Sequence, residues 1–186
     1  MRLFLAIEID AAVRAELCAL QARLRDAVPD ARVRWSPPES FHLTVLFLGE
    51  LDAVQLPGVD EAAAQIALET APFRFAIGGA SAFPRVGSLR TLFASVTQGA
   101  EDWTTLVRRA EPWFAPMGVA RNGGLVPHLT LGRVKDAPDD GPLRAALAKC
   151  IPEPIGQTAI GLTLIESILE KSGAVYQIRG FWPFRG

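Results

Sequence analysis

Phe41-His42-Leu43-Thr44-Val45-Leu46-Phe47-Leu48 (residues 41–48), closed by Gly49, reads as a strand, and a close counterpart returns as His128-Leu129-Thr130-Leu131-Gly132-Arg133-Val134. Side chains alternate along a strand, so His42 and Thr44 share one face while Leu43 and Val45 point to the other. His128 and Thr130 repeat that arrangement. The chain has only two histidines, and both open a His-Leu-Thr-apolar tetrad. At average residue frequencies that coincidence has a chance on the order of 10⁻⁵. Each strand therefore presents an imidazole and a hydroxyl together, on a surface held by buried neighbours.

The rest of the chain repeats in layout more than in sequence. Leu3 to Ile9 reads as a largely apolar central strand. Asp10 caps a helix whose apolar positions Val13, Leu17, Leu20 and Leu24 recur every three or four residues, up to Pro29. A short extended piece, 33–35, precedes the turn at Pro37-Pro38 and the first motif strand. A helix over 61–69 and a strand over 73–77 follow, the latter broken by Gly78-Gly79. Residues 80–88 read as a loop carrying Phe83-Pro84-Arg85. Then come a strand (91–96), a helix (101–114), a loop (116–126), the second motif strand and a helix (142–150). A closing hairpin pairs 162–169 with 175–181, turned through Lys171-Ser172-Gly173. Strand, long helix, loop and His-Leu-Thr strand thus occur twice. Two similar halves related by a rough twofold would set the motif strands about a shared cleft.

Composition narrows the function. The 186 residues are 49% hydrophobic and 21% charged, with a net charge of −1 and a pI near 6.1. They suit one two-lobed domain over 1–186 and lack the broad positive field of a protein that coats nucleic acid. Cys18 and Cys150 lack metal-ligand spacing and read as buried small apolar residues. Five apolar residues before Glu8 are too few for a signal-peptide core, and no apolar run reaches spanning length. A cytoplasmic protein without membrane contact, metal or cofactor is expected. Gly-x-Ser-x-Gly, Walker and dinucleotide loops are absent from the sequence.

Two imidazoles can divide acid and base work near neutral pH. Threonine hydroxyls can donate to the non-bridging oxygens of a phosphate. In-line displacement at phosphorus needs a base on the incoming oxygen and an acid on the leaving oxygen, on opposite sides. Paired His/Thr strands suit that geometry.

The motifs and their flanks resemble the 2H phosphoesterase superfamily, in its bacterial RNA 2′,3′-cyclic phosphodiesterase (2′-5′ RNA ligase-like) branch. The likeness is carried by Arg2-Leu3-Phe4-Leu5-Ala6-Ile7, by Arg34-Trp35-Ser36-Pro37-Pro38-Glu39-Ser40 running into the first tetrad, and by Phe47-Leu48-Gly49-Glu50. Phe83-Pro84-Arg85, Pro127 through Val134, and Glu166-Ser167 through Gly173, Tyr176 and Phe181 extend it along the chain. The resemblance implies an α+β, bilobal fold: two pseudo-symmetric, mostly antiparallel sheets with outer helices and a central cleft. It implies metal- and ATP-independent opening of an RNA 2′,3′-cyclic phosphate end to a 2′-phosphate; a monomer is expected. Carried over, His42 and His128 are the acid–base pair, Thr44 and Thr130 hold the phosphate, and Arg133 neutralises its charge. His128 is written as the base and His42 as the acid, an order the residues themselves leave open.

Arg133 stands five residues after His128, the wrong parity for its face, and a bulge at Gly132 would re-aim it. Phe47 holds the corresponding place in the first motif and reads as core. Trp35, Phe41 and Phe83 are further aromatics expected near the cleft, and Arg85 and Arg121 are candidates for neighbouring phosphates. The alternatives are a 2′-5′ RNA ligase, a phosphodiesterase on another small cyclic or 2′-5′ linked substrate, and a non-catalytic module that binds RNA ends.

Overall fold

The computed structural model describes residues 1–119, 124–136, 140–151, 154–170 and 173–186; of Asp136 only the backbone is described. Arg121 and the turn residues Lys171 and Ser172 lie outside the described residues.

The first strand, β1 (Arg2–Glu8), is apolar throughout its middle because both of its faces are covered. Leu3, Leu5 and Ile7 join the main core, while Phe4 and Ala6 form a separate cluster with Ile165 on the other face. Next comes α1 (Ala11–Ala27), started by the Asp10 carboxylate accepting the Val13 N–H at 2.8 Å. Its buried stripe is Val13, Leu17, Leu20 and Leu24, as the spacing predicts. The chain continues through β2 (Arg32–Trp35), β3 (His42–Glu50), α2 (Leu56–Leu68), β4 (Phe73–Phe83), β5 (Thr91–Gln98) and α3 (Ala100–Phe114). It ends with β6 (His128–Asp136), α4 (Gly141–Lys149), β7 (Ile155–Ala159), β8 (Gly161–Glu170) and β9 (Gly173–Pro183).

Two antiparallel sheets result, ordered β3-β1-β8-β9 and β2-β6-β5-β4-β7. The expected pseudo-symmetry is visible in those orders: β3, β1, β8 and β9 correspond to β6, β5, β4 and β7. Strand β2 is an addition beside β6. The helices are exchanged between the sheets. Helix α1, which follows a strand of the first sheet, packs with α4 against the second, whereas α2 and α3 cover the first. One core therefore runs through both lobes, and it includes Leu5 and Leu43 from the first sheet and Leu92 and Leu129 from the second.

Three readings are corrected here. Gly78-Gly79 does not end β4, which runs on to Phe83 and takes in part of the expected loop. Gly78 is instead an extra residue where the β4–β5 register shifts. A Cβ there would lie 2.8 Å from Thr97 Oγ1, so glycine permits a close crossing without breaking the strand. Strand β7 carries no strand signal in the sequence, because Ile155-Gly156-Gln157-Thr158-Ala159 is short and has no apolar alternation. The two cysteines are half-buried at the core margin rather than buried.

Candidate active site

Both motif strands carry the same irregularity at the same place. In β3, Thr44 pairs with Ala6 and Leu46 with Leu5, leaving Val45 as an extra residue. In β6, Thr130 pairs with Phe93 and Gly132 with Leu92, leaving Leu131 extra. A bulge after the threonine restores parity, so the fifth residue after each histidine returns to the histidine's face. Arg133 is thereby opposite Thr91 and on the face of His128 and Thr130, its Nη1 3.5 Å from Thr91 Oγ1. The bulged residue is Leu131, not Gly132. Gly132 serves β2 instead: a Cβ there would lie 2.9 Å from Val33 and 3.1 Å from the Arg34 carbonyl.

The bulges are held from behind by side chains of the exchanged helices. Buried Gln21 on α1 donates its amide to the carbonyls of Leu131 (2.7 Å) and Ser36 (2.8 Å). On the other sheet, Trp103 of α3 donates its indole N–H to the Thr44 carbonyl at 3.0 Å. A bulge frees backbone groups from the ladder, and buried ones need such partners. Gln21→Leu keeps the volume and removes both donors. The expected loss is about 1–3 kcal/mol in a denaturant titration; an unchanged midpoint would show that the amide does not hold the bulge.

The two imidazoles lie on strands that meet where the sheets approach, β3 against β6. His42 packs on Phe4 (ring centroids 4.7 Å) and edge-on to Tyr176 at 5.2 Å. His128 packs on Phe93 and edge-on to Phe83, each at 5.2 Å, with its Nδ1 2.8 Å from the Val126 carbonyl. The ring nitrogen left over on His128 is then Nε2. Burial pushes the His42 pKa down to about 4, against a smaller opposing effect from the Ser40 backbone, and the charge of His128 lowers it further. Burial also lowers that of His128, again opposed by a backbone group, with a contribution from the Arg133 guanidinium. His42 feels His128 and His128 feels Arg133, so the structure brings these three side chains into one electrostatic neighbourhood. Thr44 and Thr130 share the faces of their histidines, and among the described residues neither hydroxyl has a hydrogen-bond partner.

The other expected aromatics divide. Phe83 reaches the site, stacked on Phe93 at 4.3 Å. Phe41 does not, since it is buried in the main core. Trp35 packs at the core margin with Arg25 over its ring. Phe47 corrects the reading as core: it is 61% exposed, and its ring lies 5.7 Å from Phe4 on the cleft face. Arg85 is exposed in the loop after β4, and among the described residues only its carbonyl is engaged, by Arg144. Tyr176, the only tyrosine of the chain, reaches His42 from β9, a contact that strand spacing does not encode. Among the described residues no three of His, Cys, Asp and Glu converge as a metal-binding group, and no helix is long and apolar enough to cross a membrane.

The RNA 2′,3′-cyclic phosphodiesterase of Thermus thermophilus is 30% identical to this chain over 202 residues, covering 100% of this chain and 91% of its own length. The chain belongs to the LigT-like 2H phosphoesterase family. A family model described as LigT like Phosphoesterase matches residues 7–92. The RNA 2′,3′-cyclic phosphodiesterase of Methanothermobacter thermautotrophicus is 28% identical over 177 residues, 95% of each chain. Among solved structures, TT0787 of Thermus thermophilus superposes with a TM-score of 0.83 at 28% identity, over 100% of this chain and 99% of that one. E. coli LigT complexed with 3′-AMP has a TM-score of 0.80 at 21% identity, over 100% and 98%, and shares the fold. As a LigT-like phosphoesterase the chain is an enzyme, and the α+β architecture of two pseudo-symmetric sheets with outer helices is that of the family.

Proposed function

We propose that this phosphoesterase hydrolyses 2′,3′-cyclic phosphate ends of RNA to 2′-phosphates, using His42 and His128 as base and acid. The observation that carries the reading is the pair of identically bulged His-x-Thr strands, set where the two sheets meet so that the charge of His128 acts on His42. Relatives named RNA 2′,3′-cyclic phosphodiesterase support the substrate class. The 3′-AMP held by E. coli LigT supports nucleotide recognition on this fold.

In this reading the cyclic phosphate sits between the two strands. The hydroxyls of Thr44 and Thr130 donate to its non-bridging oxygens, and Arg133 offsets its charge. One imidazole takes a proton from water as its oxygen bonds to phosphorus. The P–O3′ bond breaks on the far side, and the other imidazolium protonates the departing 3′-oxygen. The products are a 2′-phosphomonoester and a 3′-hydroxyl, with the proton moved from one histidine to the other. A base must be neutral, and the low pKa of His42 keeps it so across the physiological range. That favours His42 as base and His128 as acid, the reverse of the order written from sequence. A substrate with sulfur in place of the 3′-oxygen reads the roles directly, because a thiolate leaves without protonation. His128→Ala recovers activity on it and His42→Ala does not; the opposite rescue restores the original order.

Both pKa values lie below the ordinary 6.5, which moves the pH profile of kcat/KM to the acid side of neutrality. The acid limb falls near pH 4, where the base gains its proton, and the other limb falls below 6.5, where the acid loses one. The limbs belong to the coupled pair rather than to single residues. A bell centred above about pH 7 would contradict this environment for the free enzyme.

The direct test incubates a short RNA ending in a 2′,3′-cyclic phosphate with the enzyme in EDTA and identifies the new end. A 2′-phosphate is expected at undiminished rate. A 3′-phosphate would overturn the regiochemistry, and loss of activity restored by a divalent cation would overturn the metal-independent mechanism.

A further inference from the structure

Arg34 on β2 stands directly across the ladder from Arg133 on β6. Residues opposed in this way share a face with Cβ atoms about 4.5–5.5 Å apart, and like charges so placed destabilise a sheet. Four arginines are paired with carboxylates: Arg23 with Glu16, Arg109 with Glu69, Arg144 with Asp140 and Arg179 with Glu166. Among the described residues neither Arg34 nor Arg133 has such a partner. The Arg34 guanidinium also crosses to the other sheet. It lies against Gly173 at the start of β9, where any Cβ would collide with it. Arg34 thus stands beside Arg133, on the face of the second sheet that carries His128, and reaches the first sheet at Gly173.

An unneutralised pair of guanidiniums on a cleft wall is balanced once anions occupy it. We propose that Arg34 holds a second phosphate, the internucleotide phosphate next to the reacting one, while Arg133 serves the cyclic phosphate beside His128. This inference rests on the RNA-end reading above and deepens it: the preferred ligand is an oligonucleotide of at least two nucleotides. A guanidinium presents several donors to phosphate oxygens in a fixed fork, and a charge-assisted contact of this kind is stronger than a neutral hydrogen bond. The near-neutral net charge of −1 agrees with a site that reads a few phosphates at one chain end rather than a long tract.

The test compares kcat/KM on a nucleoside 2′,3′-cyclic phosphate with that on a dinucleotide carrying the same cyclic end. Wild type favours the dinucleotide, and Arg34→Gln lowers the ratio of the two by about tenfold or more, mainly through KM. Arg34→Lys recovers part of the ratio. The salt slope for the dinucleotide falls by about 0.7 in Arg34→Gln, the increment for one phosphate contact on a single strand. A neutral methylphosphonate at the internucleotide linkage removes the wild-type preference without any mutation. A ratio indifferent to both Arg34→Gln and the methylphosphonate overturns the second-phosphate site while leaving the proposed reaction standing. Wild-type enzyme that opens neither substrate overturns the proposed reaction itself.

Discussion

Replacing His42 or His128 by alanine lowers kcat on a 2′,3′-cyclic RNA end by about 10²- to 10⁴-fold, the usual weight of one positioned acid or base. His42 sits between Phe4 and Tyr176, and His128 between Phe83, Phe93 and the Val126 carbonyl, so each ring is held by packing and offers one nitrogen to the cleft. Alanine removes that nitrogen and leaves the sheets in place. The variants therefore keep product affinity and thermal midpoints close to wild type while turnover collapses. The double variant costs little more than the worse single one, because proton uptake and proton delivery act as a unit. A fall of less than about tenfold in both single variants would show that neither imidazole is the acid or the base and that other groups carry the chemistry.

The second large effect is on stability. Phe93 is 1% exposed, yet it lies outside the main core, on the cleft face of the second sheet beneath His128 and stacked on Phe83. Phe93→Ala removes a large buried ring, and Thr130 and Ser81, its cross-strand neighbours, are too short to close over the gap. The expected cost is about 3–5 kcal/mol in a denaturant titration, as for other buried aromatic truncations. His128 loses one wall at the same time. In Phe93→Ala the non-acid limb of the pH profile moves toward 6.5, because a more solvated imidazole is protonated more easily. A stable variant with an unchanged profile would show that Phe93 neither fills nor shields this part of the cleft.

The motif residues were legible because two of their signals are local. Two histidines in identical tetrads need no tertiary information to be noticed, and strand alternation already joins His42 to Thr44 and His128 to Thr130. The stripe of α1 and its Asp10 cap were legible for the same reason. Phe47 and Arg133 were not fully legible. Their side depends on a bulge, and one inserted residue reverses the face of everything after it. Gly78 misled in the opposite direction, since glycine signals a break locally but here allows a crossing set by Thr97 on another strand.

The sequence by itself determined that a pair of imidazole–hydroxyl strands exists, that an apolar β1 lies centrally, and that the layout repeats. These follow from side-chain periodicity and residue chemistry within a few neighbouring positions. Only the tertiary structure decided that α1 and α3 change sheets, so that Gln21 and Trp103 hold the bulges behind the opposite motifs. It alone set Tyr176 against His42 and Arg34 across from Arg133. Each of those contacts joins residues far apart in the chain, and their partners are chosen by sheet order and register, which depend on packing the whole core at once.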